Sequence, residues 1–185
     1  MKNIFLILFL AVILTSCGNK KLSHKETVTI YYQAFDSGNF DKIKGVIHDS
    51  ITMINGDFVT PFDKSNFYEF YKWDSVFKPS YEILELAEEN EDLIATISQK
   101  NIRNEFLKNN PLQFKVKLSF SADKISRLEE LEYIRVNWQE WNQEKDSLVN
   151  WTKVNHPNLD GFVNDLTMVG AMKYLKAIEL YEGRD

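Results

Sequence analysis

The sequence predicts an α+β fold: helices first, then an antiparallel sheet, then a C-terminal helical extension. Three observations carry this. Up to Phe77 apolar residues recur at helical spacing, as in Val28, Tyr31, Tyr32 and Phe35. Beyond Pro79 the period falls to two, most clearly at Leu112, Phe114, Val116, Leu118 and Phe120, whose alternation with polar residues marks a strand with one buried and one wet face. After Val136 helical spacing returns at Trp138, Trp141, Leu148 and Trp151.

From Lys25 to Phe35 a single apolar stripe predicts the first helix, which Asp36-Ser37-Gly38 stops because glycine can take the left-handed cap. Asn39 caps a second, short helix from Phe40 to Val46. Ser50 to Ile54 is the first strand, and Asn55-Gly56 is a hairpin signal that returns the chain over Asp57 to Thr60, where Pro61 is expected to break it. Asp63-Lys64-Ser65 opens a third helix that runs to about Phe77 and carries Phe67, Phe70, Tyr71 and Trp73. Tyr81 to Ala87 and Leu93 to Ile102 follow as strands around the acidic turn Glu88 to Asp92. Leu112 to Ser121 precedes a last strand, Ile125 to Val136, whose alternation slips near Glu129-Glu130; the slip predicts a bulge, with a helix as the alternative. The final two helical stripes, interrupted at His156-Pro157-Asn158, must bury their aromatic residues across the sheet or against a second copy of the chain.

The N-terminus has the form of a targeting segment. Lys2 and an apolar run from Ile4 to Leu14, too short to span a bilayer comfortably, make residues 1–16 a secretory signal. Leu14-Thr15-Ser16-Cys17 resembles a bacterial lipobox, and the sole cysteine of the chain falls where lipidation requires it. Residues 17–23 are then a polar tether, and two or three acyl chains, palmitate among them, anchor stably where one does not. No acidic residue stands just after Cys17, so the expected location is the cell envelope, at the outer membrane and facing the periplasm.

Composition narrows the function classes. The formal charge is −5, and only four of the 22 basic residues are arginines (Arg103, Arg127, Arg135, Arg184), which argues against nucleic acid. An acylated Cys17 leaves no thiol for catalysis, a disulfide or zinc. The sequence contains no HExxH, Gly-rich phosphate loop, GxSxG or metal-spaced histidine pair, so neither a cofactor nor a metal is expected. His48-Asp49 is read as a surface pair rather than an acid-base dyad, because adjacent strand residues point oppositely. His156, Asp160 and Asp165 do not share a helical face and are not read as a metal site.

The stretches YYQAFDSGNFD (Tyr31 to Asp41) and VIHDSITM (Val46 to Met53), with the order of elements that follows them, resemble the NTF2-like superfamily and its SnoaL-like members. The resemblance spans residues 24–136 and leaves 137–185 as a two-helix extension. It implies a sheet curved around the N-terminal helices into a cone with a mostly apolar pocket. In the ketosteroid isomerase branch it places an oxyanion donor at Tyr31 and a carboxylate base at position 55, which here is Asn55; Asp57, two residues on, is the alternative base. Tyr31 and Tyr32 are read first as wall residues. The expected pocket is lined by Tyr31, Tyr32, Phe35, Tyr68, Trp73, Phe114 and Val116. The expected function is a membrane-tethered protein that binds a small apolar ligand or a partner protein, with a homodimer as one arrangement. The alternative is an isomerase or lyase on a small cyclic or carbonyl substrate, using Tyr31 and Asp57.

Overall fold

The computed structural model describes residues 21–184. The expected signal segment and the expected lipidation residue, Cys17, lie outside the described residues. The first helix, α1 (His24–Asp36), begins with a capping box in which Ser23 and Glu26 satisfy each other's backbone N–H groups. It ends where Gly38 takes φ of +64° and the Asn39 amide donates back to the Ala34 carbonyl. Asn39 caps α2 (Phe40–Val46) through the Lys42 amide at 3.1 Å.

Strand β1 (Ile47–Asn55) starts earlier than expected and pairs with β2 (Phe58–Asp63) through a two-residue turn, Gly56-Asp57. Asn55 therefore closes the strand instead of opening the turn. Pro61 does not break β2: it pairs with Thr52, because β2 is an edge strand where a missing donor faces no neighbour. Asp63 caps α3 (Lys64–Val76) at 2.8 Å from the Asn66 amide.

Strands β3 (Ser80–Glu89), β4 (Asp92–Lys100), β5 (Leu112–Ser121) and β6 (Lys124–Ile134) complete one sheet in the order β2-β1-β6-β5-β4-β3. Its pairs are antiparallel except β1 with β6, which run parallel. A short helix, α4 (Ile102–Phe106), stands where the last residue of a strand was expected; Asn101 caps it, accepting from the Asn104 amide at 2.6 Å. The bulge in β6 falls at Leu131, since Lys115 faces Glu132 while Val116 faces Glu130. This extra residue decides the site. Without it Glu130 and Tyr133, three apart, would point to opposite faces.

Two cores result. The first lies between α1, α2, α3 and the concave sheet face, with Val28, Ile43, Ile47, Phe67, Ile97 and Leu118 fully buried. The second is built by α5 (Trp138–Asn155) and α6 (Met168–Glu182), which pack on the end of α3 and on α4 instead of crossing the sheet. Phe77 sits in the second core, where its ring meets Tyr174 of α6 edge-on at 5.6 Å and Trp73 at 5.1 Å; Trp73 in turn stacks at 6.5 Å on Phe70, which packs against the first core. The N-terminal end of α1 sits at the β5–β6 turn, where Lys21 pairs with Asp123 at 2.9 Å and His24 stacks on Phe120 at 3.8 Å between ring centroids.

Phe77 is 1 % exposed, and truncating it leaves a cavity in the second core. Phe77→Ala is expected to lower unfolding free energy by about 3–5 kcal/mol in urea titrations. A loss below about 1 kcal/mol would mean that the C-terminal helices do not depend on this contact.

Candidate functional site

A cavity of about 390 Å³ opens between α1, α3, α4 and the concave sheet face. The stripe of α1 supplies Tyr31, Tyr32 and Phe35, α3 supplies Phe70, Trp73 and Asp74, and β5 supplies Leu112, Phe114 and Val116 by strict alternation. Leu128, Glu130 and Tyr133 of β6 face it together because of the bulge at Leu131.

The sequence-derived pocket is mostly present. Tyr31, Tyr32, Phe35, Trp73, Phe114 and Val116 all line the cavity. Tyr68 does not: it lies on the far side of α3, is 41 % exposed, and packs its ring on Phe40 at 4.6 Å beneath Lys72. Phe70, Trp73 and Asp74 share the cavity side of α3, and Tyr68, two residues before Phe70, falls on the opposite side of the helix. Asp57 sits in the exposed β1–β2 turn and is not part of the wall, so the structure gives it no role as a base. His48 forms only a local hydrogen bond with Ser50, and Asp49 pairs with Lys64 at 2.6 Å. His156 packs on Trp151, while Asp165 accepts from the Thr167 hydroxyl at 2.6 Å. Neither pair joins the cavity.

Two polar groups punctuate the apolar wall. At one, the Tyr81 hydroxyl donates to Asp74 Oδ2 at 3.0 Å, Gln99 Nε2 donates to the Tyr81 hydroxyl at 2.7 Å, and Asn104 Nδ2 donates to Gln99 Oε1 at 3.1 Å. Burial pushes the Asp74 carboxyl up to about 6, against the lowering pull of Tyr81's hydrogen bond and Arg103's charge. At the other, Glu130 Oε2 accepts from the Tyr133 hydroxyl at 2.5 Å and from Asn55 Nδ2. Parallel pairing sets Asn55 beside Glu130. Burial raises the Glu130 carboxyl, and Tyr133's bond opposes the rise.

The tyrosine pair lies between these groups. Tyr31 and Tyr32 are 4 % and 5 % exposed, their rings edge-to-face at 5.1 Å. Burial holds both hydroxyls neutral, reinforced at Tyr31 by Tyr32 and then Asp74, and at Tyr32 by Glu130. Neither hydroxyl has a hydrogen-bond partner among the described residues, so both are available to a molecule in the cavity.

Asp74, Arg103 and Glu130 went unread in the sequence. Asp74 left a trace, for it follows Phe67 and Tyr71 on the buried stripe of α3, where a carboxylate is out of place unless it has a task. Glu130 leaves none, because the slip near Glu129-Glu130 marks a bulge without saying which side chains it turns inward, and Arg103 lies just past the expected strand end at Ile102.

Because the folded-state value for Asp74 lies above 3.8, the native chain holds that proton more tightly than the unfolded chain does. Its stabilising contribution is complete below about pH 4 and is lost as pH rises through about 6, a swing of about 3 kcal/mol. Asp74→Asn should remove this component, so that urea titrations at pH 4 and pH 7 differ less than for the unmodified chain. An unchanged difference would sink the assignment.

No protein-family model matches the chain, and no curated protein matches it. Solved structures do. An NTF2-like protein of unknown function from Cytophaga hutchinsonii superposes with a TM-score of 0.51 at 11 % identity, over 63 % of this chain and 94 % of that one. A candidate ketosteroid isomerase from Kribbella flavida gives 0.51 at 7 % identity, over 62 % and 79 %. A candidate polyketide cyclase from Sinorhizobium meliloti gives 0.50 at 10 % identity, over 60 % and 100 %. Identities this low speak to architecture alone, and on that evidence the chain has the NTF2-like fold.

Proposed function

We propose that this chain is a binding protein that holds a small, largely apolar molecule in the cone cavity while a lipid on Cys17 tethers it to an envelope membrane. The observation that carries the reading is the cavity itself: aromatic and aliphatic walls with a few fixed polar groups, in the size range of small-molecule sites. Binding is favoured over turnover because the position where the resemblance implies a carboxylate base holds the amide of Asn55, which donates to Glu130 and cannot abstract a proton.

Val116 is 2 % exposed and on the wall, so Val116→Trp should fill the cavity. The expected result is retained folding with at least a tenfold loss of affinity for an apolar fluorescent probe. Unchanged probe binding would place the probe elsewhere and count against the cavity. For the tether, Cys17→Ser should move the protein from the membrane to the soluble fraction; continued membrane association would defeat it.

A second reading is proton transfer on a small cyclic or carbonyl compound, with Asp74 rather than Asp57 as base. The observation favouring it is that Asp74 has been lifted towards neutrality beside the unpartnered Tyr31 hydroxyl. Deuterium exchange from D2O into a cyclic ketone, abolished by Asp74→Asn, would support it, and absence of exchange would remove it.

A further inference from the structure

We propose that Arg103 is an anion anchor, and that the molecule held in the cavity is an amphiphile with one carboxylate head and an apolar body. The inference rests on the ligand-binding reading above and adds the chemistry of the ligand. Arg103 is the second residue of α4 and lies on the cavity wall, where it is the only basic side chain among the described residues. Its guanidinium is held by rings on three sides, 5.0 Å from the centroid of Trp73, 5.5 Å from Trp141 and 5.9 Å from Phe77.

This cation has no acceptor of its own. Guanidinium carries five N–H donors and stays charged at any ordinary pH. Yet among the described residues Arg103 has no ion-pair partner within 4.0 Å and no hydrogen-bond acceptor, and its Nε is buried without a partner. Asp74 acts on it only at longer range. Donors left unpaired in a half-buried site are unfavourable, and a bound acceptor relieves them. Three rings within 6 Å of the guanidinium limit its motion, so less freedom is lost when a carboxylate meets it.

The charge around Arg103 limits the head. Asp74 and Glu130 stand on the same wall, so a doubly charged phosphate monoester would face two carboxylates with one cation to balance it. A single carboxylate balances Arg103 alone. From that point the ligand's body would run along Leu112, Phe114, Val116 and Leu128, which offer it no polar side chain.

The test compares dodecanoate, dodecanol and dodecyl phosphate by isothermal titration calorimetry, each below its micellar concentration, on the full chain carrying Cys17→Ser. Dodecanoate is expected to bind at least tenfold tighter than dodecanol. Arg103→Gln should erase that preference and leave dodecanol affinity within about twofold. Asp74→Asn, which removes a nearby negative charge, should raise the preference for dodecanoate over dodecanol severalfold. Equal affinity for acid and alcohol, a preference that survives Arg103→Gln, or tighter binding of dodecyl phosphate would each overturn the anchor while dodecanol binding upholds the apolar pocket. Failure of all three probes to bind would overturn both. Should Arg103→Gln not fold, the probe comparison on the unsubstituted Arg103 and on Asp74→Asn decides the matter.

Discussion

Helix α1 turns Thr27, Val28, Tyr31, Tyr32, Ala34 and Phe35 inward, and none of them is more than 6 % exposed. Removing that much apolar surface from water is the constraint on which the cone depends. A flat sheet would touch only one side of such a stripe. The sheet instead curves, helped by the register shifts in β3, β6 and the parallel β1–β6 pair. Curvature over bulky rings leaves a space that neither surface fills, and the cavity is that remainder.

The polar groups in the cavity follow from the same geometry. A bulge changes which residues face inward, and the one at Leu131 brings Glu130 and Tyr133 to a wall that strict alternation would have denied to one of them. Once inside, each carboxylate is held by hydroxyl or amide donors, as buried polar groups must be. Arg103 is the exception, with rings around it and no acceptor for its donors among the described residues. That contrast separates groups that maintain the fold from one that waits for something else.

The sequence made the periodic features legible and concealed the aperiodic ones. The stripe of α1, the Gly38 stop, the Asn39 cap and the alternation of β5 each state a local rule that tertiary structure then obeyed. Pro61 misled because its penalty depends on strand position in the sheet, which a local reading does not contain. Tyr68 misled because an aromatic residue near a buried stripe was credited to the stripe, whereas its ring covers the outside of α3. The aromatic residues of the last fifty positions were expected to seek the sheet or a partner. They found Phe77, Phe106 and Leu107, apolar residues that lie beyond the reach of the first core.

The position of the chain's first described residues has a directional consequence. Lys21 and His24 meet the β5–β6 turn, while Leu112, Asn55 and Tyr133, which border the cavity, lie at the opposite ends of their strands. Strand β5 alone, ten residues long, separates the two ends by about 30 Å. A cup hung from that N-terminal side would present its rim away from the surface that holds it. Under the tethered binding role proposed above, the exposed Phe58 and Leu166 of the cavity lining would then be turned away from that surface.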